Sequence, residues 1–213
     1  MATPTDNKVD LDRLRLLRTL QLKGLVLAAD LPASTGLPQP RCTELIEQFI
    51  ASGFVDEVRG RLKVTAQGRD HLTDQLDAER QTIDGQQIAA LYAEFGSFNA
   101  ELKALMTRWQ LKDPDTPNDH NDPDYDQAII DDLATLDVKF RDLLARIVAA
   151  APRLEHYPAR FGNAVDRVAA GDHSWFAKPL ADSYHTVWFE LHEDLIGLAG
   201  LSRAEEAAAG RAE

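Results

Sequence analysis

The densest run of residues able to bind a ligand or move a proton is Asp182-Ser-Tyr-His-Thr-Val-Trp-Phe-Glu-Leu-His-Glu193, near the end of a 213-residue chain. Wound at about 100° per residue, Tyr184, Val187, Trp188, Leu191, Leu195 and Leu198 share one apolar sector, with His185, Phe189, His192 and Ile196 beside it. Both histidines should therefore be at least partly buried. A neutral imidazole offers one donor and one acceptor, so two of them among aromatic rings fit a pocket for a small polar or anionic molecule. Hydrogen-bonded core histidines are the alternative. Seven residues span about 10 Å of helix, too far for one metal ion without ligands from elsewhere. His120, His173 or the acidic segment before Asp126 would have to supply them, and the expectation is no metal and no cofactor. Trp109 and Trp175, each where a helix should end or a loop begin, could close such a pocket or simply end a packed stripe. The candidate ligand-binding set is Trp109, His120, Trp175, Tyr184, His185, Trp188, Phe189 and His192.

Other chemistry finds little support. Asp122-x-Asp124-x-Asp126 alternates carboxylates like a calcium loop, but Gln127 and Leu133 stand where that loop needs glycine and glutamate. A solvated connection with Asp122 or Asp124 capping the next helix is the simpler reading. The chain contains no G-x-S-x-G, P-loop, dinucleotide glycine motif or H-E-x-x-H, and His192-Glu193 lacks the second histidine four places after the first. The single cysteine, Cys42, excludes an internal disulfide and reads as a small apolar core residue. A protein that is not an enzyme is expected.

Composition sets the frame for these residues. With 44% apolar and 27% charged residues, the chain lies in the globular range. Its net charge of −12 is uneven: residues 1–80 net −1 and residues 81–213 net −11. The second part should be repelled by phosphate backbones, so any nucleic acid belongs to the first. No apolar run approaches the roughly 18 residues of a membrane span, and the start lacks a signal peptide's basic and apolar regions. These features predict a cytoplasmic protein with no membrane partner. The expected divisions are a flexible 1–10, a first domain at 11–80, an acidic helical domain at 81–201 and a short helix or tail at 202–213.

In the first domain, Asp10 can cap a helix carrying Leu14, Leu17 and Leu20 that stops at Lys23-Gly24. Leu25-Val26-Leu27 reads as a brief strand or the entry to a second helix, which Asp30 and Pro32 would open. Gly36-Leu37-Pro38 makes a tight turn before a third helix from Gln39 to Ser52 that should bury Leu45, Ile46, Phe49 and Ile50. Phe54 to Val58 and Leu62 to Thr65 flank Arg59-Gly60-Arg61 as a hairpin, and Thr65-Ala-Gln-Gly68 opens a last helix with Leu72 and Leu76. The phrases DLPASTGLPQPRCTELIEQFIASGFV and GRLKVTAQGR, within about residues 11–79, resemble the winged helix-turn-helix module of bacterial transcriptional regulators of the MarR-like kind. The resemblance implies a recognition helix presenting Gln39, Arg41 and Thr43 to double-stranded DNA and a wing presenting Arg59, Arg61 and Lys63. Glu44, Glu47, Asp56 and Glu57 oppose that field, so the footprint suffices only if a homodimer doubles it, and winged helices also serve as protein-contact modules.

In the second domain, Ile88, Leu91, Phe95, Phe98, Leu102, Leu105 and Trp109 form a heptad stripe, which Tyr92 and Met106 widen to a bundle face. The segment Asp113 to Asp124, with three prolines, forbids a helix. A second stripe runs from Ile129 to Ile147, a third helix should begin at Pro152, and a fourth should run from Pro179 to about Leu198. Ser202-Arg-Ala-Glu205 reads as a capping box. The expected fold is mainly α: an N-terminal winged helix-turn-helix with a small β-hairpin wing and a C-terminal helical bundle. The stretch DSYHTVWFELHEDL is similar to helical domains beside winged helices in actinobacterial proteins related to phosphoenolpyruvate-utilising enzymes. Two functions stand: a homodimeric DNA-binding regulator responsive to a small-molecule effector, or an accessory protein that contacts an enzyme.

Overall fold

The structure, a computed structural model, describes residues 10–179 and 181–208. The expected flexible N-terminus before Asp10, the tail beyond Ala208 and the Glu205 side chain of the expected capping box lie outside the described residues. The chain is mainly helical and divides into two compact units, residues 1–83 and 84–213. Among the described residues no helix is long and apolar enough to cross a membrane.

In the first unit, α1 (Leu11–Lys23) begins where the Asp10 carboxylate accepts from the amides of Asp12 and Arg13, and ends at Gly24. A short α2 (Leu31–Thr35) follows, with Pro32 in its first turn. Asp30 stands at its N-cap position, but its side chain makes no capping bond. Gly36 takes the left-handed φ of 70° that turns the chain into α3 (Gln39–Ala51). Strands β1 (Val55–Val58) and β2 (Arg61–Val64) pair antiparallel through a two-residue turn in which Arg59 and Gly60 both have positive φ, 54° and 75°. Positive φ at both central residues is the turn whose twist suits a tight hairpin. Val26 exchanges two backbone hydrogen bonds with Leu62, so the Leu25–Leu27 segment lies beside β2 as a single bridge and does not open a helix. The Thr65 hydroxyl then caps α4 (Ala66–Arg80) by accepting from the Gly68 amide. Leu16, Leu20, Leu31, Leu45, Phe49 and Leu72 are all but sealed in one core. Ile50, expected inside, is 43% exposed, because α3 buries Cys42, Leu45, Ile46 and Phe49 and the stripe leaves Ile50 at its edge.

In the second unit, α5 (Gly85–Gln110) and α6 (Pro123–Ala150) pack on each other, α6 on α7 (Tyr157–Ala169), and α9 (Tyr184–Leu198) on both α7 and α5. One ring from each meets at the centre: Phe95 and Phe140 stand 4.9 and 4.6 Å from Trp188, and Phe161 packs edge-on to Phe140 at 5.6 Å. Two expected boundaries move, and proline sets both. Pro152 opens only a three-residue 3-10 turn, and α7 restarts at Tyr157, because Pro158 could not continue a helix through Leu154 without clashing with its carbonyl. The helix expected from Pro179 begins at Tyr184: Lys178, before the proline, is extended (φ −61°, ψ 123°), and Ser183 caps by accepting from the Thr186 amide. A four-residue α8 (Ser174–Ala177) precedes it, and α10 (Arg203–Ala208) follows. Between α5 and α6, β3 (Leu111–Asp113) and β4 (Thr116–Pro117) form a hairpin that the sequence pattern did not announce.

Gly68 explains the Thr65-Ala-Gln-Gly68 helix start. A Cβ there would sit 2.1 Å from the Phe54 carbonyl oxygen, so α4 approaches β1 only over a glycine. Gly68→Ala should cost about 1–3 kcal/mol in urea unfolding. Gly96, on α5 with nothing within 4 Å of a Cβ, sets the opposite expectation. Gly96→Ala should gain about 0.5–1 kcal/mol in the same measurement.

Candidate functional site

On the first unit, the outward face of α3 carries Gln39, Thr43, Glu44, Glu47 and Gln48. Gln39 Nε2 donates to Thr43 Oγ1 at 3.4 Å, and the Thr43 hydroxyl donates to the Gln39 carbonyl at 3.1 Å. Arg41 is taken up internally. Its guanidinium meets Glu44 at 2.9 Å and Asp10 and Asp12 at 3.3 Å each, and the Glu44 hydrogen bond raises its pKa further. The wing differs. Arg59, Arg61 and Lys63 are exposed and form no ion pair among the described residues, although Asp56 lies across the strands from Lys63. Cys42 is sealed on the inner side of α3, and burial raises its thiol pKa, so it offers no nucleophile.

The expected ligand set on the second unit separates into two groups. His185, Trp188, Phe189 and His192 border a cleft of about 40 Å³ with Asn99 and Arg203, room for a water molecule or two. Their polar atoms are engaged. Trp188 donates its indole N–H to Asn99 Oδ1 at 2.9 Å. Tyr92 donates its hydroxyl proton to Glu206 Oε2 at 2.6 Å and stands 3.1 Å from His192 Nε2. A phenol has one proton, so His192 must donate from Nε2 to the Tyr92 oxygen. Phe189 lies under the Arg203 guanidinium at 4.8 Å, and Arg203 pairs with Glu193. Tyr184 is buried, donates to Asp137 at 3.4 Å, and burial followed by that carboxylate holds its hydroxyl well above the usual phenol pKa. Trp175 borders neither cleft and carries the Arg167 guanidinium 4.3 Å above its ring.

Trp109 and His120 border a second, larger cleft of about 470 Å³ with Gln110, His173, Ser174 and Lys178. Trp109 stacks on Phe176 at 4.3 Å and faces the rings of His120 and His173 at 4.5 and 6.0 Å. His120 sits at a left-handed φ of 55°, held by its amide donating to Asn118 Oδ1 and by Nδ1 lying 2.9 Å from Asp126 Oδ2. Asn118 donates to Asp126 Oδ1 at 2.8 Å and to the Trp109 carbonyl at 3.1 Å. Asp126 is buried at the start of α6. Burial alone would raise its pKa, but the hydrogen bonds from Asn118 and His120 outweigh that and lower it. A carboxylate so placed keeps the Nδ1 proton on its own side and leaves Nε2 for another partner. The cleft also holds a hydroxyl, but Ser174 donates it to Asp172 at 2.6 Å and not to an imidazole. Acid–base assistance or anion binding is within its chemistry; a serine nucleophile lacks its base. No protein-family model, curated protein or solved structure matches the chain. Geometry alone has to carry the reading.

Sequence reasoning passed over Asn118 and Lys178, and it weighed Asp126 only as part of a calcium-loop pattern that fails. It also passed over an ionic cluster between α7 and α9. Arg160 meets Asp182 at 3.0 Å and Glu190 at 2.7 Å, while Arg153 and Tyr157 reach Asp194 at 3.1 and 2.8 Å. Glu190 and Asp194 stand four apart on the face that carries Val187 and Leu191, and acids on an apolar stripe are the signal that could have revealed them.

Two outcomes follow from these bonds. Tyr92→Phe removes a donor to a fully buried Glu206, so amide exchange across residues 203–206 should accelerate while the α5 core stays protected. Asp126 has a lowered folded pKa, so it stabilises above its unfolded value near about 3.9, and that stability fades as pH falls through the folded value. Asp126→Asn should therefore lower the urea midpoint at neutral pH, with the gap to the parent protein closing in acid.

Proposed function

We propose that the protein is a homodimeric DNA-binding regulator whose first unit reads DNA as a winged helix and whose second unit is a helical bundle that senses a small molecule. The observation that carries the reading is the wing tip. Arg59 occupies a left-handed position that asparagine or glycine would fill at lower cost, and it is followed by Gly60 and a second outward arginine. Arg59, Arg61 and Lys63 stand exposed without intramolecular ion pairs among the described residues, as phosphate-binding groups must. The element order supports the same reading: three helices, a bridge at Val26, and a hairpin returning to α4. Gln39, Arg41 and Thr43 would then lie at the N-terminal end of the recognition helix. Arg41 could reach a base edge only by exchanging its carboxylate partners for it.

That internal pairing favours a second reading. With Asp10, Asp12, Glu44 and Glu47 around it, the outward face of α3 suits a partially basic protein surface as well as a groove. In this reading the protein is a non-catalytic accessory subunit of an enzyme.

Fluorescence anisotropy against the DNA upstream of its own coding sequence separates the two. A regulator should bind with an affinity that falls steeply with salt, and the triple variant Arg59→Asn/Arg61→Gln/Lys63→Gln should weaken all sequences alike. The salt slope should flatten by about one unit for each phosphate that the wing no longer neutralises. No binding to any genomic fragment at low salt overturns the regulator and leaves the accessory reading.

A further inference from the structure

The cleft between the α5 terminus, the segment after the β3–β4 hairpin and α8 has more room than the α9 cleft, about 470 Å³ against about 40 Å³. Its floor is the Trp109 ring, which is 8% exposed between Phe176 and His120 and offers an apolar edge to a ligand. Its polar groups are two imidazoles and a lysine: His120, His173 and Lys178. The unit as a whole is strongly acidic, which makes a local concentration of donors against the prevailing charge a specific arrangement. The nearby groups of opposite sign are already engaged. Asp126 is buried under His120 and bonded to Asn118, and Asp172 accepts from Ser174.

His120 is also positioned at a conformational cost. Its left-handed backbone is unfavourable for a non-glycine residue, and three groups hold it there: Asn118, Asp126 and the face of Trp109. A ring braced at Nδ1 by a carboxylate presents Nε2 in fixed orientation. When the imidazole is protonated, Asp126 supports the charge and Nε2–H is a charge-assisted donor. The contrast with the α9 cleft is direct, since there His192 gives its Nε2 proton to Tyr92 and the space admits only water.

We infer that this cleft binds a small organic oxyanion, a carboxylate or phosphate monoester, with its head on His120, His173 and Lys178 and its apolar part at the open edge of Trp109. The inference rests on the sensing role given to the second unit, but it needs no DNA recognition, and its test is binding alone. Failure of DNA binding therefore leaves it standing, and failure here leaves the wing's role untouched.

Calorimetric titration of the full chain with phenyl phosphate, benzoate, inorganic phosphate and benzyl alcohol tests it. Saturable one-site binding of phenyl phosphate or benzoate is expected below about 10 mM, with the neutral alcohol at least about tenfold weaker. The stronger of the two acids identifies the head group, and binding of inorganic phosphate as tight as phenyl phosphate would remove Trp109 from the site. Lys178→Met, an exposed change that leaves the fold alone, and His120→Asn, which tolerates the left-handed backbone, should each weaken the acid by about tenfold. His185→Gln in the other cleft should leave it unchanged. Equal binding of the alcohol, no saturable binding of either acid, or indifference to both Lys178→Met and His120→Asn overturns the inference.

Discussion

A carboxylate taken out of water must be met by donors, and the second unit is arranged around that demand. Asp126, Asp137, Glu190, Asp194 and Glu206 are all buried. Each specifies a partner on another segment. Asp137 on α6 takes Tyr184 on α9; Asp194 and Glu190 on α9 take Arg153, Tyr157 and Arg160 from the α7 side; Glu206 on α10 takes Tyr92 on α5. An apolar stripe tolerates sliding and rotation, whereas a buried acid with placed donors does not. Such pairs contribute little net stability compared with a well-packed apolar alternative, because desolvation of both ions offsets most of their attraction. Breaking one is another matter, since the remaining buried charge loses part of its compensation. Burial lowers the pKa of Arg160, yet Glu190 and Asp182 more than reverse this and raise it, so the guanidinium stays charged.

The same demand decides which residues are free for a ligand. On α9, Trp188, Tyr184 and His192 look like pocket residues until their polar atoms are traced, and each then proves to be satisfying a buried group across the unit. The aromatic rings there meet Phe95, Phe140 and Phe161 and close the interior. At the hairpin the balance of donors comes out differently. Asp126 receives bonds from Asn118 and His120, and the imidazole still keeps one nitrogen beyond the pair. A ligand needs a satisfied network that leaves an oriented group over, and a cleft whose groups are all consumed has nothing to offer it.

Much of the architecture was legible in local chemistry. Asp10, Thr65 and Asp122 cap helices by accepting backbone amides, and those residue types ahead of apolar periodicity place these three starts, whereas the caps Asp84 and Ser183 were not read. Boundaries failed where proline acts at a distance from itself. Pro158 forbids a helix begun at Pro152, and Pro179 extends Lys178 before it, effects that a reading of each proline as a helix start overlooks. Ile50 failed because α3 needs only a narrow inward stripe. The candidate pocket was half legible. Trp109 and His120 were singled out together, but grouping them with His185 and His192 required knowing which helix ends meet, and periodicity carries no such information.

The missing donors show why. Asn118 sits between Asp115 and Asp119 in a stretch whose composition says only that it is polar and turning. Its importance comes from one side chain reaching both the last turn of α5 and the first turn of α6, through the Trp109 carbonyl and Asp126. That bridge fixes the hairpin to two helix ends and holds His120 in a backbone conformation it would not otherwise keep. Sequence pattern reports what a residue prefers, whereas a strained residue in a braced loop reports what the fold has imposed on it. His120 carries that imposition in the second unit as Arg59 does at the β1–β2 turn of the first, and in both the left-handed residue carries a nitrogen-bearing side chain on the surface.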